Sequence, residues 1–388
     1  MSLGVYIQVP FCQARCTYCN FHTGVVPGAR FAPYAAAVCL EIRRHRHWLP
    51  QTCGLLPVGF AERPVDTVYF GGGTPSLLDP ANLSTILDAL RETFACAWTE
   101  VTLEADPETV ARDKAEAWVA AGFNRISMGV QSFSDAELRA AGRMHRRDTV
   151  YTAFSILRSA GFRNISCDLI VGLPYQTAES WQTSLEELVA LEPEHVSVYL
   201  LEVDEGSRLG AELLRGGTRY GSRFVPSDEV MADCYELART RLGRAGYEHY
   251  EISNFSKPAW QSRHNCKYWR REPYLGFGAG AHSFSGEKRW ANAHDAAAYV
   301  QSIAEGRIPA EQLEQVSPGQ ALEEELFLGL RRLEGIHLRQ LEDAYGVSLG
   351  ERFERLESSG WIERVGDVVR LAPERLSASN EVFVDLMR

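Results

Sequence analysis

The sequence predicts an α/β protein built on a parallel sheet, followed by a smaller, mostly helical unit. Three observations predict it. Six short β-rich runs alternate with amphipathic stretches, their junctions carry helix-start residues, and after about Ser317 the pattern changes to helices with one short hairpin. A chain of 388 residues that is 45% hydrophobic and 23% charged is long enough for a large core and more than one unit.

The β-rich runs are Val5–Val9, Thr67–Phe70, Val101–Glu104, Arg125–Met128, Ile165–Val171 and His195–Leu200. Asp106-Pro107-Glu108 reads as an N-cap before proline at the first helical position, and Ser134-Asp135-Ala136-Glu137 reads as a capping box. Both follow a predicted strand. Strand, loop and capped helix in repetition imply right-handed crossovers, in a sheet either wrapped toward a barrel or open and doubly wound, and periodicity alone does not choose. The regularity breaks after Glu202 in a Gly- and charge-rich segment expected to be a mobile loop, then resumes in a helix from near Ser227 to near Gly246. From Ala321 the chain reads as helices, the Ile362–Leu371 β pair and a closing helix, an order that resembles a winged-helix domain.

Charge and hydropathy narrow the functional classes. The net charge is −11 without an acidic or basic tail, and residues 318–388 carry 14 Asp and Glu against nine Arg, which argues against nucleic acid as a partner of the winged-helix-like unit. The first residues lack a basic run followed by an apolar one, and no stretch approaches the roughly 20 apolar residues of a membrane span. The expectation is a soluble, cytoplasmic protein.

Of nine cysteines, Cys12, Cys16 and Cys19 fall within eight residues, a layout that suits metal ligation better than a disulfide framework. They follow the first strand directly, so three thiolates share one loop at its carboxyl end. Three cysteines leave one iron of a 4Fe-4S cluster open to a small ligand; a Cys3His zinc site is the competing reading. Cys39, Cys53, Cys96, Cys167 and Cys234 are scattered and are assigned no function.

The C-x3-C-x2-C spacing, with Tyr18 before the last cysteine, resembles the radical S-adenosylmethionine (SAM) superfamily. That resemblance implies a partial (β/α)6 barrel, a 4Fe-4S cluster on Cys12, Cys16 and Cys19, and SAM on the open iron. The second strand runs into Gly71-Gly72-Gly73-Thr74-Pro75, and in the family such a turn lets Gly72, Gly73 and Thr74 approach the methionine end of SAM. Glu104, Gln131, Arg143 and Asp168 stand at or after later strands, on the ligand-binding side, and with Tyr6 and Tyr18 they resemble the SAM contacts of the oxygen-independent coproporphyrinogen III oxidase group. Two branches of that group compete: oxidases acting on coproporphyrinogen III, and haem chaperones. Oxidases carry a further cysteine two residues after the third ligand, where this chain has Phe21, and a long extension before the cluster, where this chain has eleven residues.

The segment Arg263-His264-Asn265-Cys266-Lys267-Tyr268-Trp269 matches the HNxxYW motif of the haem-chaperone branch. The resemblance implies haem contact by His264, Asn265, Tyr268 and Trp269, with His264 or Cys266 as axial ligand and the aromatic rings as apolar surface. The alternative is that the rings pack against the barrel while His264 bonds the backbone. Gly276–Ser283 is a further Gly-rich stretch that both branches share. The expected organisation is a radical SAM partial barrel over 1–225, an extension carrying the haem motif over 226–316 and the winged-helix-like unit over 317–388. The expected function is haem binding and delivery to apo-cytochromes or other haem-accepting proteins, with transient contact at membrane haemoproteins. The alternatives are an oxidase for coproporphyrinogen III and, against the acidic balance, a tRNA-modifying enzyme.

Overall fold

Side-chain alternation along the strands determines the architecture. In β1 (Leu3–Val9), Leu3, Val5, Ile7 and Val9 are buried and apolar, while Tyr6 and Gln8 are half-buried on the opposite face. The pattern recurs in β2 (Val65–Gly72), β3 (Cys96–Ala105), β4 (Arg125–Gln131), β5 (Ile165–Val171) and β6 (His195–Leu200). Val68, Leu103, Ile126 and Val198 share the apolar face; Tyr69, Glu104, Ser127 and Asp168 share the polar one.

The structure is a computed structural model that describes residues 2–53, 59–60 and 62–386; the expected unit ends Met1 and Arg388 and the Cys53 side chain lie outside the described residues. Strands β1 to β6 pair in parallel and in sequential order. Right-handed crossovers in that order place every connecting helix on one face, so the sheet is wound in one direction and curls around its polar side. The connecting helices are α1 (Phe31–Cys53), α2 (Pro80–Thr93), α3 (Arg112–Ala121), α4 (Asp135–Ala140), α5 (Arg147–Ala160) and α6 (Ala178–Leu191). Their buried residues, such as Leu83, Leu87, Trp118, Leu157 and Trp181, form one core with the apolar strand face. The result is the partial (β/α)6 arrangement, which does not close.

After β6 come α7 (Arg208–Leu214), α8 (Asp228–Arg244), β7 (Glu248–Glu251), β8 (Asn254–Ser256), α9 (Arg263–Trp269), β9 (Tyr274–Phe277), β10 (His282–Phe284), β11 (Lys288–Asn292), α10 (Ala296–Ala304) and β12 (Ala310–Gln315). Strand β9 pairs in parallel with β1 and β8 pairs antiparallel with β6, so these strands extend both edges into a sheet of order β12-β11-β10-β9-β1-β2-β3-β4-β5-β6-β8-β7. The C-terminal unit comprises α11 (Pro318–Arg331), β13 (Ile336–His337), α12 (Leu338–Tyr345), α13 (Gly350–Ser358), β14 (Ile362–Val365), β15 (Val368–Leu371) and α14 (Ser379–Leu386), with its own sheet of order β13-β15-β14. No helix among the described residues is long and apolar enough to cross a membrane.

Three local expectations are corrected. Asp106 does not cap a crossover helix: Pro107–Thr109 is a 3-10 turn, α3 begins at Arg112, and the Asp106 carboxylate is taken by Arg143 and Thr74. Ser134 precedes α4 without a side-chain cap, because Glu137 is buried and accepts from Ser132 Oγ at 2.7 Å and Gln176 Nε2 at 3.2 Å. The segment after Glu202 is not structureless; it folds into α7 and a 3-10 turn over Arg219–Phe224, and Leu209 N–H donates to the Thr17 carbonyl at 2.7 Å.

Candidate cofactor site at the carboxyl ends of the strands

Because β1 ends at Val9, the next residues emerge at the carboxyl end of the sheet, and the cysteine loop is fixed there from three sides. Cys12 N–H donates to Gly24 O at 3.0 Å and Gly24 N–H to Pro10 O at 2.8 Å, closing the loop on itself. Thr17 N–H and Oγ1 donate to Ala141 O at 2.9 Å and Ala140 O at 3.1 Å. The segment before α7 holds the outer side, with Asn20 Nδ2 donating to Asp204 Oδ2 at 3.2 Å and Arg208 donating to Arg15 O. Cys12, Cys16 and Cys19 are free, half-buried thiols in this loop. Burial pushes the Cys12 and Cys19 thiols up, opposed by hydrogen bonds from Thr23 to both and from Thr74 to Cys12. Three free thiols gathered in one loop are a donor set suited to a metal cluster.

The glycine turn packs against this loop. A Cβ on Gly73 would lie 2.5 Å from Phe11 O, and Gly72 combines φ 110° with a Cβ position 2.4 Å from the Gln8 side chain. Glycine is thus demanded by close packing of the β2 end on the β1 end. Thr74 is buried, its N–H donating to Phe11 O at 2.7 Å and its Oγ1 to Asp106 Oδ2 at 3.0 Å. Arg143, with 7% of its side chain exposed, forms an ion pair with Asp106, donates to Gly129 O at 2.9 Å and reaches Cys16 Sγ at 3.5 Å. Its Nε is buried without a partner, which leaves one donor open. Tyr18 hydrogen-bonds Cys16 beside that guanidinium. Gln131 holds φ 65°, a left-handed conformation uncommon outside glycine, with its Nε2 2.8 Å from where a Cβ on Gly129 would stand.

Below the loop the polar face continues down the barrel. Glu104 accepts from Tyr69 OH at 2.9 Å and from Gly72 N–H at 3.1 Å, and burial pushes its carboxyl up to about 7. Tyr6 donates to Gln8 Oε1 at 2.9 Å and lies over Tyr69, ring centroids 6.0 Å apart. Asp168 lies against Ser127 and Ser166, each at 3.4 Å; burial raises its pKa, opposed by Ser197 and Arg125. Asp106, Gln8, Thr23 and Tyr69 belong to this site and were missed in the sequence. A polar residue at every second position of a predicted strand was the signal for Gln8 and Tyr69.

The structure does not bring the HNxxYW segment to this end. Helix α9 lies across the amino-terminal ends of β1, β2 and β3, where Gly4, Thr67 and Glu100 share one row. Glu100 accepts both the Arg263 and His264 N–H groups at 2.9 Å, and Lys267 pairs with Asp66 at 3.1 Å. His264 is buried, with Nδ1 on Thr67 Oγ1 at 2.9 Å and Nε2 on Tyr268 OH at 2.9 Å. Burial, then Lys267 and Arg125, push its pKa down to about 3. Cys266 is a half-buried thiol raised to about 11 by burial. Trp269 meets Tyr250 edge-on at 5.7 Å, and half-buried Asn265 donates its N–H to the Ser262 cap at 3.3 Å. As folded, neither His264 nitrogen is open to a metal, contrary to the axial role expected for it. The segment is a plug, separated from the cysteine loop by the length of the strands, about 16 Å at 3.3 Å per residue.

Residues 6–188 match the radical SAM superfamily, and residues 316–374 match the HemN C-terminal domain. The chain is 33% identical over 385 residues, 97% of each chain, to the protein named heme chaperone HemW of Bacillus subtilis (strain 168). It is 35% identical to that of Synechocystis sp. (strain PCC 6803), covering 97% of this chain and 90% of that one, and 36% identical to that of Escherichia coli (strain K12), covering 72% and 69%. Among solved structures, coproporphyrinogen III oxidase (HemN) from Escherichia coli, a radical SAM enzyme, superposes with a TM-score of 0.82 over 99% of this chain and 90% of that chain at 23% identity, a likeness of fold.

Proposed function

The chain belongs to the HemW heme chaperone family of the radical SAM superfamily, and on that premise we propose that it binds haem and delivers it to apo-haemoproteins. The observation that carries this reading is similarity to named haem chaperones that runs through the cysteine loop, the α9 segment and the C-terminal unit alike, over 97% of both chains for the Bacillus protein. In this reading Cys12, Cys16 and Cys19 would hold a 4Fe-4S cluster, and SAM would lie beside it. Cluster and SAM, when bound, supply one-electron chemistry.

The protein's own side chains position and shield. Arg143 is held charged by Asp106 and reaches the loop with Nη1 at Cys16, suited to a carboxylate. Glu104 and Asp168 are half-buried acceptors lower in the barrel, suited to hydroxyl or amino groups of SAM, with Tyr6 and Tyr18 as walls and Gln131 at the rim. Helix α9 closes the floor against water. Haem ligation we assign to imidazoles other than His264, because moving that ring would break its bonds to Thr67 and Tyr268 and open the floor.

The test is an anaerobic titration of the reconstituted protein with haem, followed by mixing with an apo-cytochrome. Stoichiometric binding and transfer of the Soret signal to the acceptor are expected. A parallel incubation with coproporphyrinogen III and SAM should leave the tetrapyrrole unchanged; decarboxylated product would replace the chaperone reading with the oxidase one.

A further inference from the structure

Three of the ten histidines meet on one solvent-exposed patch at the rim of the cysteine loop. His22 follows Cys19 by three residues, His282 opens β10 after the Gly276–Gly280 turn, and His294 follows β11. The His22 and His294 rings lie 4.5 Å apart between centroids, and His282 lies 6.5 Å from His294. By contrast His45, His145, His195 and His264 are buried.

The fold brings these rings together deliberately in the sense that each support is buried. Strand β9 pairs with β1, so the turn after β9 lies beside the loop after β1. That turn is pinned: Gly278 N–H donates to Glu41 Oε2 at 2.9 Å, and Ala279 N–H to Tyr34 OH at 2.8 Å, while Tyr34 donates to Gln8 O at 2.8 Å. Gly280 has φ 72°, and a Cβ there would stand 3.0 Å from His294 Nδ1, so the turn and the ring are in close approach. Asn292, two residues before His294, is anchored to the same Glu41 at 2.7 Å.

We propose that His294, with His22 stacked against it and His282 nearby, supplies an axial nitrogen to haem iron at the rim of the cluster loop. The assignment rests on the haem-chaperone reading and gives it a place. Among the described residues, no three His, Cys, Asp or Glu side chains converge as a closed cage for a bare ion. An exposed imidazole outside any cage suits a metal that brings four equatorial nitrogens of its own and lacks an axial one. The same turn of chain exposes Phe21 (65%) and Val25 (60%), apolar surface of the kind a macrocycle covers. Exposure also suits a cargo that must leave for another protein.

The test uses the full-length, cluster-reconstituted protein and its His294→Ala and His22→Ala/His294→Ala variants, with His337→Ala in the C-terminal unit as control. Haem is titrated while the Soret band is followed, and iron and labile sulfide are assayed alongside. The expected result is a shifted Soret band and an affinity weakened by about tenfold or more in both variants, with cluster content and the His337→Ala spectrum unchanged. Wild-type haem spectrum and affinity in the double variant would overturn the site and leave the chaperone reading standing. Zinc chloride titrated alone separates the two sources of metal: zinc uptake lost in the double variant while haem binding persists would make this a free-ion site and overturn the proposal. If the wild-type protein takes up no haem, the chaperone reading falls and this site with it.

Discussion

Asp106 stands in an Asp-Pro-Glu run whose local chemistry fits a helix cap, yet its carboxylate is drawn away to Thr74 and Arg143. The competing partner Arg143 lies 37 residues further on, beyond the reach of a local reading of the cap. The gathering of Cys12, Cys16 and Cys19 in one loop was legible from their spacing, and the place of Glu104 from its position at a strand end; the parts of Asp106 and Tyr69 were not, because their partners lie on neighbouring strands and loops. Removing Asp106 strands a buried guanidinium, so Asp106→Ala should weaken the change that SAM causes in the EPR spectrum of the reduced cluster by about tenfold or more. An unaltered SAM titration would take the pair out of the site. Replacing any of the three loop cysteines by serine should abolish iron and sulfide uptake; stoichiometric zinc without sulfide in the wild type would contradict the cluster assignment. Glu41 gives a pH signature. Burial lifts its carboxyl from 4.5 to about 7, against hydrogen bonds from Tyr299, Gly278 and Asn292. The folded state therefore holds a proton that the unfolded chain has already released, and stability falls as pH rises from about 4.5 through 7, by up to about 3 kcal/mol. Glu41→Gln should flatten that slope in urea melts at pH 5 and pH 8, and equal slopes for the two proteins would refute it.

At the scale of elements, period-2 runs located all six barrel strands, and Ser227 marked the start of α8. Their ends were set further out than the apolar pattern alone suggested, because Asp66, Gly71 and Gln131 continue the ladders as polar or glycine residues. Helix α9 is the element the sequence located least well in space. The motif text carried its identity but not its position, which depends on an acceptor at Glu100 and on the space left over Gly4, where a Cβ would stand 3.2 Å from the His264 ring. Glu100→Ala leaves the buried His264 N–H and the part-buried Arg263 N–H without acceptors and should cost roughly 2–3 kcal/mol. Trp269 emission should shift to the red as the plug loosens, and a variant with wild-type emission and wild-type melting would show that α9 is held by packing alone.

For the whole molecule, the C-terminal unit is docked through α11 onto the floor and its neighbouring hairpin. Arg331 pairs with Glu251, which is fully buried, at 2.6 Å, and Arg271 at the end of α9 pairs with Glu324 at 2.6 Å. Helix count and hairpin were readable from residues 317–388, whereas this seam joins residues 80 apart and left no local trace. Arg331→Met should destabilise the chain by roughly 3–5 kcal/mol, because an unpaired carboxylate stays buried, and adding Glu251→Gln should restore much of the loss. Denaturant midpoints check this; a double variant no better than the single would place the energy elsewhere. The sheet order has one more consequence, for the time course of synthesis. Strands β1 to β6 each meet a partner adjacent in the chain, but the second edge of β1 waits for β9, with Gly4 meeting Tyr274. At about 5–20 residues per second that edge stays bare for on the order of 15–55 s of translation. During that interval the three thiols beside it are reachable by iron-delivering partners, and the nascent strand is open to mispairing with other chains.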